Sequence, residues 1–304
     1  MDIPKIQDPD ISNQEYLFDL GPENYEGVPV SDMYEVSIIQ DDKRKKVVVF
    51  QNACPTYSPG YMDMTENDQF PLDIFKGRTI NWVNFSFDGV IRVEVKVISH
   101  AVKLSSSVMV WPSRHQVVPA ITDNIISFTL DKPGQYSVEI GTEGYKNGLV
   151  IFANPRETDI PDPHASQTIV LKEATQQEVN NVPSSVNSIY FDKGVHHIGI
   201  YELTSNIKSI YLKEGAWVYG SFIRDGKSDV KIYGRGVLSS GEFKYRESHC
   251  IEARNGSNNI ILDGITVADS KYFAVRLIGK NNKVSWVKII GGWTYNCDGI
   301  AAYE

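Results

Sequence analysis

The stretch Asn259-Ile260-Ile261-Leu262-Asp263-Gly264 is a short apolar segment that a polar residue introduces and a glycine closes. Segments with the same start recur through the second half of the chain, at Asn206-Ile207, Asp229-Val230 and Lys283-Val284. Their apolar members are 23, 30 and 24 residues apart. Periods of this length are typical of proteins that stack one structural unit per repeat, either a parallel β-helix or leucine-rich repeats.

The residue types decide between these two architectures. The leucine-rich pattern is absent, whereas Val and Ile at strand centres with Asn and Gly at corners favour a parallel β-helix. A second series, Ile251, Val275 and Ile300, has spacings of 24 and 25 residues. Each coil of a β-helix stacks the same position above the last, so these three residues are predicted to point inward on consecutive coils.

The same register predicts a surface. Successive side chains of a strand point to opposite faces, so the residues that follow the inward series point outward. These outward residues are Glu252, Arg276 and Ala301. Two positions before the inward series lie His249, Phe273 and Asp298. The result is either a substrate groove or a solvated face that holds a Glu252–Arg276 ion pair, and the repeat alone leaves both open.

The first half of the chain has a different pattern. Residues 91–98 alternate apolar and charged side chains, which is the signature of a half-exposed strand, and turn signals such as Asp88-Gly89 separate similar runs. This predicts an antiparallel β-sandwich over residues 1–153, with Trp82 and Trp111 in its core. The basic run Lys43–Lys46 is interpreted as a solvated hairpin turn.

The two halves meet at a proline-rich segment. Pro155, Pro161 and Pro163 favour extended backbone, so residues 154–184 are predicted to form a linker and the start of the β-helix. Residues 185–304 would form its first coils. The predicted fold class is therefore all-β: an N-terminal antiparallel β-sandwich followed by a right-handed single-stranded parallel β-helix that is incomplete at the C-terminus.

Composition excludes several functions. The net charge of −8 disfavours nucleic-acid binding, and no apolar run is long enough to span a membrane. Three cysteines without a C-x-x-C pair give neither a disulfide framework nor a zinc site. The adjacent His196 and His197 point to opposite faces of a strand, so we expect no metal and no cofactor.

Four stretches carry a resemblance to a known family. They are residues 149–155, 210–222, the glycine-rich segment 233–242, and Asn296-Cys297-Asp298-Gly299-Ile300. Together they resemble the pectin-lyase-like β-helix glycoside hydrolases, above all family 49, the dextranases and isopullulanases. They are also similar to the polygalacturonases of family 28. The last stretch resembles the N-T-D-G motif of these enzymes, with Cys297 in place of threonine.

The resemblance implies inverting hydrolysis by a set of three aspartates. Asp298 matches the aspartate of the motif, and an Asp-Asp pair should follow about one coil later, beyond Glu304. We therefore expect the chain to be an inactive fragment of a longer polysaccharide-degrading enzyme. The remaining candidate residues are expected to contact substrate: His249, Glu242, Tyr245, Glu252, Arg276, Trp293 and Tyr295.

Two alternatives stay open. One is a non-catalytic carbohydrate-binding or adhesin-like β-helix protein, and the other is a polysaccharide lyase on the same fold. In each case the expected partner is a polysaccharide or oligosaccharide, with neither nucleic acid nor membrane involved. The N-terminus shows no signal peptide, yet such a protein is expected to act in the extracellular space or the periplasm.

Overall fold

The computed structural model describes residues 27–54, 78–104, 107–141, 148–293 and 296–303. Ten strands before residue 156 form two five-stranded sheets. They are β1 Tyr34–Gln40, β2 Lys43–Val47, β3 Phe50–Ala53, β4 Thr79–Phe87, β5 Ile91–Val97, β6 Val108–Trp111, β7 Ala120–Thr122, β8 Ile125–Leu130, β9 Gly134–Ile140 and β10 Gly148–Pro155. The first sheet has the order β2-β1-β5-β8-β7 and the second β3-β4-β10-β9-β6.

The alternation of buried and exposed residues along the strands explains how the two sheets pack face to face. Along β5 every second residue is buried, as the charge alternation predicts, and these side chains pack on those of the facing sheet in one aliphatic and aromatic core. All pairings are antiparallel except that of β10 with β4, which is parallel. The sandwich is therefore mixed at this one pairing rather than wholly antiparallel.

Two local predictions for the sandwich were wrong. Lys43–Lys46 belongs to strand β2 rather than to a turn, and the turn is formed by Asp41 and Asp42, both with positive φ. On this edge strand the basic side chains reach neighbouring carboxylates, as Arg44 does with Glu94 at 2.7 Å. Trp111 is 40% exposed and lies outside the core, because it is the last residue of β6 and lies on the exposed face of that strand.

The second half winds into parallel coils, as predicted. Its elements are β11 Thr168–Leu171, helix α1 Gln176–Asn180, β12 Ser188–Phe191, β13 Gly194–Glu202, β14 Ser209–Leu212, β15 Ala216–Asp225, β16 Val230–Gly234, β17 Val237–Ser239, β18 Ile251–Arg254, β19 Ile260–Asp263, β20 Thr266–Ala268, β21 Val275–Ile278, β22 Lys283–Ser285, β23 Lys288–Ile290 and β24 Ile300–Tyr303. Helix α1 carries a complete capping box at Thr175 and buries Val179 against the first coil.

Three faces enclose the interior of the β-helix. Strands β11, β12, β14, β16, β19 and β22 form face A. The first half of β15 pairs with β17, which pairs with β20 and then β23, and these strands form face B. The second half of β15 pairs with β18, which pairs with β21 and then β24, and these strands form face C. The bend between the halves of β15 lies at Gly220, where a Cβ atom would be 2.4 Å from the side chain of Ile198. Aliphatic columns fill the interior, for example Ile189, Ile210, Ile232 and Leu262 on face A.

The sandwich covers the outside of face B. Trp217 of β15 packs against Phe50 at 5.0 Å and Trp82 at 6.0 Å between ring centroids. The neighbouring outward residues of face B, Tyr219, Val237, Ala268 and Ile290, complete this apolar seam. The outer surfaces of faces A and C are not part of this seam. The linker runs along face A, where Tyr211 donates a hydrogen bond to Glu157 at 3.1 Å.

Candidate functional site

Face C carries the predicted inward series in the predicted register. Ile251 pairs with Val275, and Val275 pairs with Ile300, so the predicted register is confirmed. Ile251 and Val275 are buried in the interior, whereas Ile300 on the last described coil is 50% exposed. The ladder extends to the residues before the strands, because Cys250 N–H donates to Phe273 and Ala274 N–H donates to Asp298 at 2.9 Å. Asp298 therefore lies one coil above Phe273, which lies one coil above His249.

The segment Asn296–Gly299 forms the turn that presents Asp298. Asn296 has a φ of 54°, a left-handed conformation that asparagine tolerates well. The thiol of Cys297 donates to the carbonyl oxygen of Ser270 at 3.2 Å and ties the turn to the preceding coil. Asp298 itself is exposed at the start of β24. The sulfur thus anchors the turn from the position where the resembled motif has a threonine, and the carboxylate stays open to solvent.

Glu252 departs from the expectation of a solvated ion pair. Its side chain is only 8% exposed, and it bonds Arg276 and contacts Arg254 at 3.4 Å. His249 Nε2 lies 3.8 Å from the same carboxylate. Because two guanidinium groups occupy its oxygens, Glu252 is placed to hold Arg276 in position. Of this pair, the partly exposed Arg276 is the group that can meet a ligand.

An aromatic cluster lies beside this ion pair. His249 stacks on Tyr272 at 4.1 Å and 16° between ring planes, and it contacts Phe273 at 5.1 Å. The guanidinium group of Arg246 also lies over the Tyr272 ring, 5.1 Å from its centre. Burial lowers the pKa of His249, which Glu252 opposes and Arg276 reinforces, so the imidazole is neutral near pH 7. His249 is buried, so it packs the aromatic cluster rather than offering a cationic group to a ligand.

The other candidates lie apart from this cluster. Glu242 contacts His197 Nδ1 at 2.9 Å, and His197 stacks on Tyr219 of face B, so Glu242 lies toward the seam rather than beside Glu252. Tyr245 and Trp293 are half-buried in the segments after β17 and β23. Tyr295 lies outside the described residues. His196 points to the other side of β13 from His197 and bonds Ala174 N–H at 3.0 Å.

Sequence reasoning missed Tyr272 and Arg254 on face C, and Asp269 near the seam. Tyr272 directly precedes Phe273 of the noted series, so the repeat could have found it. Asp269 accepts hydrogen bonds from Ser239, at 3.1 Å, and from Asn52 of the sandwich. Burial raises its pKa, although these donors and Lys271 oppose the shift. Its partner Asn52 comes from far along the chain, which no local pattern reveals.

The fold and face C together define a sandwich-plus-β-helix protein with an aspartate at one end of a surface that carries polar and aromatic side chains. Comparisons with known proteins agree with this class. No family model matches the chain. A dextranase from Arthrobacter globiformis is 23% identical over 353 aligned positions, which cover 93% of this chain and 55% of the dextranase. An isopullulanase from Aspergillus niger is 23% identical over 190 positions, which cover 54% of this chain and 34% of the isopullulanase.

A solved structure supports the fold. Dex49A from Penicillium minioluteum matches with a TM-score of 0.75 at 16% identity, over 93% of this chain and 62% of Dex49A. The predicted fold class is confirmed. The predicted resemblance to the dextranases and isopullulanases of family 49 is confirmed as well, and these relatives are glycoside hydrolases. The chain spans about half the length of the dextranase it matches.

The described part of the chain contains no helix long and apolar enough to cross a membrane.

Proposed function

We propose that the native protein hydrolyses a glucan such as dextran with inversion, and that Asp298 is one carboxylate of its catalytic set. The observation that carries the proposal is the position of Asp298, in register above Phe273 and His249 on face C. Inverting hydrolysis needs one carboxylic acid to protonate the leaving oxygen and a second carboxylate to activate water, roughly 6.5–9.5 Å apart. The dextranase and isopullulanase relatives favour a glucan over a pectin.

The groove residues have distinct proposed roles. Arg276 would donate hydrogen bonds to sugar hydroxyls, and the buried Glu252 would fix its orientation. The half-buried Tyr272 would contact a sugar, and the buried His249 would hold it in place by stacking on its ring. Trp293, Tyr245 and Glu242 are proposed to contact substrate away from this cluster, and the role of Tyr295 stays a proposal from the sequence alone.

The second carboxylate is proposed to come from sequence beyond these 304 residues. Glu252 is a poor substitute, because its oxygens are already bonded to two arginines. One carboxylate cannot both protonate the leaving group and activate the water, so the 304-residue chain alone should show no turnover. Because polysaccharides do not cross membranes unaided, we also place the native protein outside the cytoplasm.

The experiment compares variants of the protein expressed from its complete gene. Asp298→Asn should lower kcat on dextran by roughly 10²–10⁴-fold, which is the usual loss for a general acid or base. The matched control is Asp123→Asn, which alters another exposed aspartate in a turn, here the one between β7 and β8. Normal turnover in Asp298→Asn would remove this residue from the mechanism.

A non-catalytic carbohydrate-binding function is the second candidate. The saturation of Glu252 by arginines favours it, because this removes the carboxylate nearest Arg276 from acid–base work. Dextran retention by the full-length protein without any release of reducing sugar would support this candidate over hydrolysis.

A further inference from the structure

A second aromatic cleft lies away from face C, at the edge of the seam between the sandwich and the β-helix. It is open to solvent and has a volume of about 570 Å³. One wall comes from β6, β9 and the 3-10 helix Ser113–His115 of the sandwich. The opposite wall is Trp286, in the corner between β22 of face A and β23 of face B. Asp298 lies instead at the start of β24, on a different side of the coils.

Strand register explains why this cleft exists. A single row of register partners crosses one sheet of the sandwich: Phe50, Trp82, Val150, Ser137 and Trp111. Partners in register share a face of the sheet. The first two are buried against Trp217 in the seam, whereas Trp111, at the far end of the row, is 40% exposed. The sheet is thus wider than the coils that cover it, and its last strand forms a shelf.

Trp111 and Trp286 both line the cleft, and both stay partly exposed to solvent. Trp286 is 43% exposed, and its φ of 53° is a left-handed conformation that a bulky side chain rarely adopts. The coil repeat explains this conformation: Asp263 pairs with Ser285, so Trp286 occupies the corner that Gly264, with a φ of 81°, occupies one coil earlier. The corner of the coil fixes the backbone of Trp286, and nearly half of the residue faces solvent there.

The cleft also holds polar groups at fixed positions. The indole Nε1 of Trp111 donates to Glu139 at 3.0 Å, which fixes the plane of the ring. Gln135 and Ser137 lie on the same face of β9, and Arg114 lines the cleft from the 3-10 helix. Fixed aromatic planes beside mixed donors and acceptors suit a pyranose ring, which has an apolar face of C–H groups and a rim of hydroxyls.

We propose that the cleft between Trp111 and Trp286 is a second carbohydrate-binding site, which holds a neutral glucan chain remote from Asp298. The choice of a glucan as ligand rests on the proposed function, whereas the site itself rests on the cleft geometry. A remote site on the same molecule raises the effective concentration of a long polymer at face C without altering the chemistry there. Short oligosaccharides cannot reach both places and gain nothing from it.

The test measures retention of full-length protein by soluble dextran in affinity gel electrophoresis. Trp111→Ala and Trp286→Ala should each weaken retention about tenfold, as expected for the loss of one stacking ring. Trp111→Tyr keeps a ring and should retain most of the binding. Met109→Ala is the matched control, because Met109 is an exposed residue two positions earlier on the same face of β6 but does not line the cleft.

Hydrolysis of a short isomaltooligosaccharide by the same variants separates this site from face C. Unchanged kcat on the short substrate, with weaker retention on dextran, supports the proposal. Equal retention in all variants overturns it, as does an equal loss in Met109→Ala. If the full-length protein lacks hydrolytic activity but the tryptophan variants still lose retention, the proposed function fails and the second site stands.

Discussion

Faces B and C of the β-helix place outward side chains at comparable positions, yet these residues have different environments. Lys288 on β23 of face B is 1% exposed, because the sandwich covers it. Its ammonium group donates to Gly264 and, at 3.0 Å, to Asn154 of the sandwich. Arg276 on β21 of face C keeps 30% of its side chain exposed. The coil repeat decides which residues point outward, and the covering domain decides which of them can meet a ligand.

The largest expected effect tests the covered face. Trp217→Ala removes a 1% exposed indole packed between Phe50 and Trp82, and should lower the free energy of unfolding by about 3–5 kcal/mol. Urea denaturation followed by fluorescence and circular dichroism measures this change. Trp286→Ala is the control at an exposed tryptophan and should stay within about 1 kcal/mol. Equal losses in the two variants would mean that the seam contributes no special stability.

The second prediction concerns the pH dependence of stability that the covered Lys288 of face B should cause. Burial lowers the pKa of Lys288 to about 7, with the positive charge of Arg235 adding to the shift. The unfolded chain keeps this proton up to a pKa near 10.4, so between these values it binds more protons than the native state. Stability should therefore rise with pH above 7, by at most about 1.4 kcal/mol per unit.

The window for this measurement is pH 7 to about 8.5. Above it, buried Cys250, whose pKa burial raises to about 11, contributes the opposite slope, because its thiol ionises in the unfolded state first. Lys288→Met should remove the rise that the wild-type protein shows in urea denaturation. An unchanged slope in Lys288→Met would contradict the assignment to this ammonium group.

Particular residues show how far the sequence alone could predict these regions. The spacing of Ile251, Val275 and Ile300 predicted the stacking, because a β-helix coil has a nearly constant length. The exposure of each outward residue could not be predicted in the same way. Glu252 was expected on a solvated face or in a substrate groove but is buried under two arginines, and Trp111 was expected in a core but lies on a shelf. In both cases the environment depends on contacts with residues on other strands rather than on local periodicity.

The third prediction concerns Glu252, which is buried although it lies on the open face. Glu252→Gln keeps the shape but removes the carboxylate that bonds Arg276, whereas Arg254 keeps Asp225 at 3.0 Å and Glu202 at 3.4 Å. The variant should cost about 1–2 kcal/mol, because a buried guanidinium contact loses its negative charge. Glu94→Gln of the sandwich is the matched control. Its partners Arg44 and Arg92 are more than half exposed, so water can replace the carboxylate and the cost should be smaller. Denaturation curves at one pH compare the two, and equal costs would mean that the burial of Glu252 adds nothing.

The smallest expected effect belongs to Asp298. Its side chain is exposed at the start of β24, so Asp298→Asn should change the free energy of unfolding by less than about 0.5 kcal/mol. Asn296→Ala makes the contrast within the same turn. Asn296 adopts a φ of 54°, which alanine tolerates poorly, and this variant should lose about 1 kcal/mol or more. If Asp298→Asn is destabilised, the carboxylate is a structural part of the turn. If the variant is stable but loses turnover, Asn296 builds the turn and Asp298 acts on substrate.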